Sequence, residues 1–129
     1  MLHKKWYNEL GGVIIDSAIT VHRELGPGLL ESAYQLALKR ELELRGFNVK
    51  ANVPVSLIYK DQRLGKAYEI DLLVEDEIII ENKSVETLNP VFQFQVITYL
   101  KLYDKRLGYL INFNVPLLKD GLKRIVNNY

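Results

Sequence analysis

The sequence predicts an α/β fold in which a mixed β-sheet is flanked by helices, with elements in the order α-α-β-β-β-α-β-(β). Apolar residues recur at helical spacing near the start of the chain, and alternating segments rich in β-branched residues follow. A further helical pattern then separates two short apolar runs. The 129 residues suit one ordinary domain, so we expect a single domain over residues 1–129.

Two helices are predicted before the sheet. The first lies within residues 10–26 and ends where Gly26 and Pro27 interrupt the pattern. Its apolar face consists of Val13, Ile14, Ala18, Val21 and Leu25. The second is predicted from about Leu29 to Arg45, with Gly46 as its terminator. Its apolar stripe consists of Leu30, Ala33, Tyr34, Ala37, Leu38 and Leu42.

Three consecutive strands follow in the prediction, within residues 47–60, 66–74 and 78–84. Turn-forming residues at 61–65 and 75–77 separate them. Short connections of this kind join neighbouring antiparallel strands, so we expect an antiparallel meander.

The remaining elements predict a crossover. A helix within residues 89–105, with Asn89 as N-cap and Pro90 as its first residue, lies between the third strand and an apolar strand at residues 107–115. A β-α-β connection joins parallel strands and is right-handed. The tail at residues 121–128 is ambiguous, and a short edge strand is favoured.

Composition excludes several classes of site. The chain has no cysteine, which excludes disulfides, thiolate zinc sites, iron–sulfur clusters and a cysteine nucleophile. No apolar run approaches the roughly 20 residues that span a membrane. The first ten residues lack the apolar stretch of a signal peptide. We therefore expect a cytoplasmic protein with no membrane partner.

The segment EIDLLVEDEIIIENKS, residues 69–84, carries the most specific chemistry. A turn centred on Asp76 places Asp71 opposite Glu81, with Cβ atoms roughly 5 Å apart. Glu81 and Lys83 share a face because strand side chains alternate. Two carboxylates that close repel unless positive charge lies between them, and a divalent cation such as Mg²⁺ would supply it. Lys83 could then stabilise charge that develops on a phosphate.

A structural arrangement fits the same residues. Lys83 could neutralise Asp71 or Glu81 in a cross-strand ion pair, and spacing alone does not decide between the two. The charge distribution also allows two interpretations. Residues 69–86 contain seven acids and one lysine within a chain of net charge +1, which suits either an acidic turn or a metal site facing a polyanion.

Asp71 followed by Glu81-Asn82-Lys83 resembles the signature of the PD-(D/E)XK nuclease superfamily, and the predicted element order resembles its core fold. Longer blocks resemble the narrower GxxExxY family, whose motif matches Gly28-Leu29-Leu30-Glu31-Ser32-Ala33-Tyr34. The segments VHRELGPGLLESAY, YEIDLLVEDEIIIENKSVE, FQVITYLK, LGYLINFNV and GLKRIV resemble that family's blocks in order. The resemblance extends over nearly the whole chain.

The resemblance implies a role for each residue of the signature. Asp71 and Glu81 would be metal ligands, joined by the backbone carbonyl of Asn82. Lys83 would be the catalytic amine. Mg²⁺ or Mn²⁺ would be the cofactor of a metal-dependent nuclease that hydrolyses phosphodiester bonds, with DNA favoured over RNA as substrate.

Two further site residues are implied on helices. Glu31 on the second helix would position metal or water, and Gln95 on the third would orient the nucleophile or contact the substrate. Two departures from the superfamily pattern stand beside them. Asn82 occupies a position that is usually apolar, which predicts a hydrogen-bond partner or incomplete burial. Val91 and Phe92 occupy positions where the family often has a histidine.

A different function class fits the same fold. The chain could be a non-catalytic nucleic-acid or protein interaction module that retains a nuclease-like core. A homodimer is one arrangement in which so small a domain could clamp a duplex. His22 could act as a base, and Tyr34 or Tyr99 could touch substrate or cap the pocket, but packing roles are favoured for all three.

Overall fold

The computed structural model describes residues 4–129. Its elements are α1 (Lys4–Leu25), α2 (Glu31–Leu44), β1 (Val49–Tyr59), β2 (Gln62–Val74), β3 (Ile78–Lys83), α3 (Val91–Leu102), β4 (Leu107–Asn112), a short 3-10 helix (Leu118–Gly121) and β5 (Leu122–Val126). The predicted element order is confirmed, and the ambiguous tail forms the fifth strand. Among these residues, no helix combines the length and hydropathy needed to cross a membrane.

The five strands form one mixed sheet in the order β1-β2-β3-β4-β5. Neighbouring strands are antiparallel except for β3 and β4, which run parallel and are connected through α3. The predicted meander and the parallel crossover are therefore both present. β1 and β5 form the two edges of the sheet.

Helices cover both faces of the sheet, and the three isoleucines of β3 divide between them. Ile78 and Ile80 pack into the core beneath α1 and α2, whereas Ile79 packs into the core beneath α3. Each is fully buried, and such burial stabilises by roughly 1.5–3 kcal/mol per side chain. A one-residue slip would exchange the faces of all three, so these residues fix the register of the strand.

The first hairpin differs from the prediction. Its turn consists of Lys60 and Asp61 alone, with φ angles of 49° and 64°, and β2 begins at Gln62. Two successive residues with positive φ form the tight turn whose twist matches that of the flanking strands. Gly65, expected in the turn, lies within β2 beside a shift in register.

Helix boundaries also differ from the prediction in three places. α1 begins earlier because Tyr7 packs into the core. Leu30 does not join the apolar stripe of α2, since it occupies the N-cap and is 77% exposed. Pro90 is the N-cap of α3 rather than its first residue, and Oδ1 of Asn89 accepts a hydrogen bond from the Val91 amide at 3.0 Å.

Candidate active site

Strands β2 and β3 separate where the two predicted metal ligands lie. Their ladder ends at the pair Leu72–Ile80. Beyond it the acids take the place of backbone acceptors. The amide of Asp71 donates to Oε1 of Glu81 at 2.9 Å, and the amide of Asn82 donates to Oδ2 of Asp71 at 2.8 Å. The two carboxylates therefore lie opposite each other, as the hairpin register predicts.

Three oxygens border the gap between the strands. Each carboxylate keeps one oxygen that accepts no hydrogen bond within residues 4–129. The N–H and C=O groups of one strand residue point to the same neighbouring strand. Because the Asn82 amide points to Asp71, its carbonyl faces the gap as well. The next carbonyl, that of Lys83, points the other way and accepts from the Phe113 amide at 2.9 Å.

Burial makes the ionised form of this acid pair costly. Glu81 is 4% exposed, and burial together with the charge of Asp71 raises the pKa of Glu81 to about 8. Burial also raises the pKa of Asp71, with the charge of Glu31 acting in the same direction. A cation placed between the carboxylates would reverse both effects, because it favours the ionised forms.

Lys83 does not form the structural ion pair that the sequence left open. Within the described part of the chain its ammonium makes no salt bridge with either acid, and Nζ lies 4.4 Å from the ring centroid of Phe92. Its positive charge still lowers the pKa of both Asp71 and Glu81. The aromatic ring therefore holds the amine beside the acids through a cation–π contact and leaves its protons available.

Glu31 is brought to the site as the first residue of α2, where its charge raises the pKa values of both acids. The preceding loop is fixed at two points. The Tyr34 hydroxyl donates to the Gly26 carbonyl at 2.5 Å and accepts from the Leu29 amide at 3.1 Å. Ser84 Oγ donates to the Leu29 carbonyl at 2.5 Å, which ties the loop to the end of β3.

Helix α3 carries Gln95 between two aromatic residues of the site. Phe92, one turn earlier, contacts the Lys83 ammonium. Tyr99, one turn later, is 6% exposed, and burial followed by the charges of Glu81 and its partner acid raises its pKa to about 12. Residues three and four apart lie on one helical face, so Gln95 lies on the face that borders the acids.

The Asn82 side chain contradicts both expectations from the sequence. It is fully buried, and neither its amide nitrogen nor its oxygen has a hydrogen-bond partner among the described residues. The reason is the alternation of β3, which directs this side chain to the face of Ile78 and Ile80 beneath α1 and α2. An unpaired buried polar group costs about 1–3 kcal/mol.

His22 and Tyr34 have structural contacts, in line with the packing roles expected for them. His22 Nε2 lies 2.7 Å from the carbonyl oxygen of Val115, an acceptor that fixes this nitrogen as the donor. The Tyr34 ring stacks on Phe113 with centroids 4.4 Å apart and an interplanar angle of 5°. Neither ring has a contact with the acid pair.

Two contacts of the site were missed by sequence reasoning. Gln35 Nε2 donates to the Asp71 carbonyl at 3.2 Å, and Phe92 lies beneath the amine. Gln35 follows Glu31 by four residues, a spacing that places both on one face of α2 and was the available signal. In the sequence, Phe92 stands out only as a departure from the superfamily pattern.

The donor set fits a hard divalent cation. It contains only two acidic side chains, and no group of three or more His, Cys, Asp or Glu side chains that could hold a metal ion occurs within residues 4–129. A third protein ligand would therefore have to come from the backbone. A cation at this position would take two carboxylate oxygens and the Asn82 carbonyl, and would complete its shell with water or phosphate. Mg²⁺ is commonly held in this way, by one or two carboxylates and substrate oxygens.

One protein-family model matches almost the whole chain. A model of the PD-(D/E)XK nuclease superfamily matches residues 8–125. No curated protein and no solved structure shows significant similarity to the chain. The match covers β1 to β4, most of β5, and the helices α2 and α3 that face the site. The chain belongs to the PD-(D/E)XK nuclease superfamily.

Proposed function

We propose that this protein is a metal-dependent nuclease of the GxxExxY type that hydrolyses phosphodiester bonds, with DNA as its preferred substrate. One observation carries the proposal. Asp71 and Glu81 are held face to face with the Asn82 carbonyl beside them, and no protein cation pairs with either acid within the described residues. Superfamily membership supports nucleic acid as the substrate class.

Each residue would then act at a stated position. Asp71, Glu81 and the Asn82 carbonyl would hold Mg²⁺ or Mn²⁺, which would supply positive charge at the scissile phosphate and activate water. The Lys83 ammonium would stabilise negative charge that develops on the phosphoryl oxygens. The carboxylate of Glu31 would hold the attacking water.

Gln95 would contact the substrate from the sheet face covered by α3, opposite the face from which Glu31 of α2 approaches. Gln95 lies on the α3 face between Phe92 and Tyr99, and this position would let its amide reach the same gap. An amide can donate to a phosphate oxygen or accept from water, so both orientation roles are open to it.

Cleavage assays with single- and double-stranded DNA test the proposal. Wild-type protein is expected to cleave in Mg²⁺ or Mn²⁺ and to be inactive in EDTA. Asp71→Ala and Lys83→Ala should each lower the rate by roughly 100-fold or more, because each removes charge stabilisation of the transition state. Asp16→Ala, an exposed acid on α1, is the matched control and should cleave normally.

Two outcomes would contradict the proposal. Cleavage that survives unchanged in Asp71→Ala and Lys83→Ala would remove these residues from the mechanism. Binding of DNA by the wild type with no turnover in either metal would instead indicate a non-catalytic module that retains the fold.

A further inference from the structure

The strand that carries Asp71 changes faces at this residue. On β2, Leu72 packs into the core beneath α1 and α2, whereas Ile70 packs into the core beneath α3. Two residues of the same parity should share a face in a regular strand. β1 makes the same change between Val49 and Val53. The two strands therefore exchange faces together.

The exchange occurs at the pair formed by Asn52 and Asp71. The register is the same on either side of it, with Ala51 opposite Leu72 and Val53 opposite Ile70, but Asn52 and Asp71 do not pair. Asn52 has a φ of 56°, a left-handed conformation that asparagine tolerates better than most residues. The Asp71 carbonyl consequently has no backbone partner on β1.

Gln35 of α2 replaces that missing partner. Its Nε2 donates one hydrogen to the Asp71 carbonyl at 3.2 Å and the other to Oδ1 of Asn52. A backbone carbonyl can only accept, so the orientation of the amide follows from this contact. Only glutamine or asparagine offers two hydrogens from one neutral nitrogen.

Asp71 is thereby held from two opposite sides. Its amide donates to Glu81 on β3, and its carbonyl accepts from Gln35 on α2. In a regular strand both groups would point to one neighbour. The rotated peptide is what lets the Asp71 carboxylate reach the Asn82 amide across the gap.

We propose that Gln35, together with Asn52, is a positioning residue that fixes the Asp71 carboxylate against β3. The inference rests on the proposed function for its catalytic meaning, and on the hydrogen bonds of Gln35 and the backbone geometry of β1 and β2 for its structural part. Outer contacts of this kind typically change metal affinity by roughly 10- to 100-fold when removed.

The test uses Gln35→Met, which keeps the length of the side chain and removes both hydrogens. Gln62→Met, at the exposed start of β2, is the matched control. Titration calorimetry with Mn²⁺ should show a dissociation constant roughly tenfold weaker in Gln35→Met and unchanged in Gln62→Met. Asn52→Gly, which keeps the positive φ and removes Oδ1, should give a smaller loss.

Amide hydrogen exchange in metal-free protein provides a readout that does not depend on metal binding. Exchange at the Asp71 and Asn82 amides should be several-fold faster in Gln35→Met than in wild type or Gln62→Met. If wild type binds no Mn²⁺, the proposed function fails while this readout still decides the inference. Unchanged exchange at both amides, or a lower melting temperature with unchanged Mn²⁺ affinity, would overturn it.

Discussion

Two groups of acids in this protein differ in whether a cation of the chain pairs with them. Between α1 and α2, Asp16 and Glu41 both bind Arg45, at 2.6 Å from Nη1 and 2.8 Å from Nε. The same guanidinium donates to Thr20 Oγ1 at 3.0 Å. Hydrogen bonds with the acids raise the pKa of Arg45, as expected for a satisfied pair. This group is complete without any further ion.

The second group, Asp71 and Glu81, is more buried and has no such cation. The nearest ammonium, that of Lys83, lies against an aromatic ring instead. Burying unpaired carboxylates is costly, and proteins usually avoid it. This difference supports the proposal that Asp71 and Glu81 bind a cation from outside, whereas Asp16 and Glu41 already share one within the chain.

The largest effect on stability is expected at Glu81. In EDTA at pH 8, Glu81→Gln should raise the free energy of unfolding by on the order of 2 kcal/mol, because it removes the cost of ionising a buried group. Glu41→Gln should lower it, since Arg45 then loses a partner. Urea unfolding measures both. A stabilising Glu41→Gln with a destabilising Glu81→Gln would reverse the comparison.

The stability of the metal-free protein should depend on pH because of Glu81. The pKa of Glu81 is raised from 4.5 to about 8, so between these values the folded state keeps a proton that the unfolded state has released. Stability should therefore fall as the pH rises from 5 to 8. Urea unfolding in EDTA at several pH values should show this slope in wild type and a weaker one in Glu81→Gln. Equal slopes in the two proteins would show that Glu81 does not cause the pH dependence.

Two buried asparagines extend the comparison to neutral groups. Asn112 is bonded to Val85 through both ends of its amide, whereas the Asn82 side chain has no partner within residues 4–129. Asn82→Leu should stabilise by about 1 kcal/mol and Asn112→Leu should destabilise by about 2 kcal/mol. Thermal and urea unfolding would detect either shift. Destabilisation by Asn82→Leu would show that its amide has a partner.

The smallest effect is expected at Arg45. Arg45→Ala should lower the free energy of unfolding by about 1 kcal/mol, because ion pairs that solvent reaches contribute little and are screened by salt. DNA cleavage and Mn²⁺ affinity should not change. A change in either would mean that the α1–α2 acids are coupled to the site, and the two groups would no longer be distinct.

The geometry of the acid pair could be predicted because it depends on local sequence. A tight turn at Asp76 and three isoleucines on alternating faces of the sheet fix the hairpin register, and the register places Asp71 opposite Glu81. The parallel pairing of β3 with β4 follows equally from the helix between them.

The supports of the site could not be predicted in the same way. Gln35 and Phe92 reach the site because two helices pack at particular positions on opposite faces of the sheet. The spacing of Glu31 and Gln35 places both on one helical face, but it does not show which atoms that face meets. The left-handed Asn52 is also invisible in a segment that otherwise alternates as a regular strand. Tertiary packing decided these features.

Calorimetric titration of Mn²⁺ into wild-type protein at pH 8 would show directly whether Asp71 and Glu81 hold a cation. We expect saturable binding that is lost in Glu81→Gln and Asp71→Ala and retained in Glu41→Gln. Absence of binding in wild type, or binding that survives in Glu81→Gln and Asp71→Ala, would show that these two carboxylates do not hold a cation.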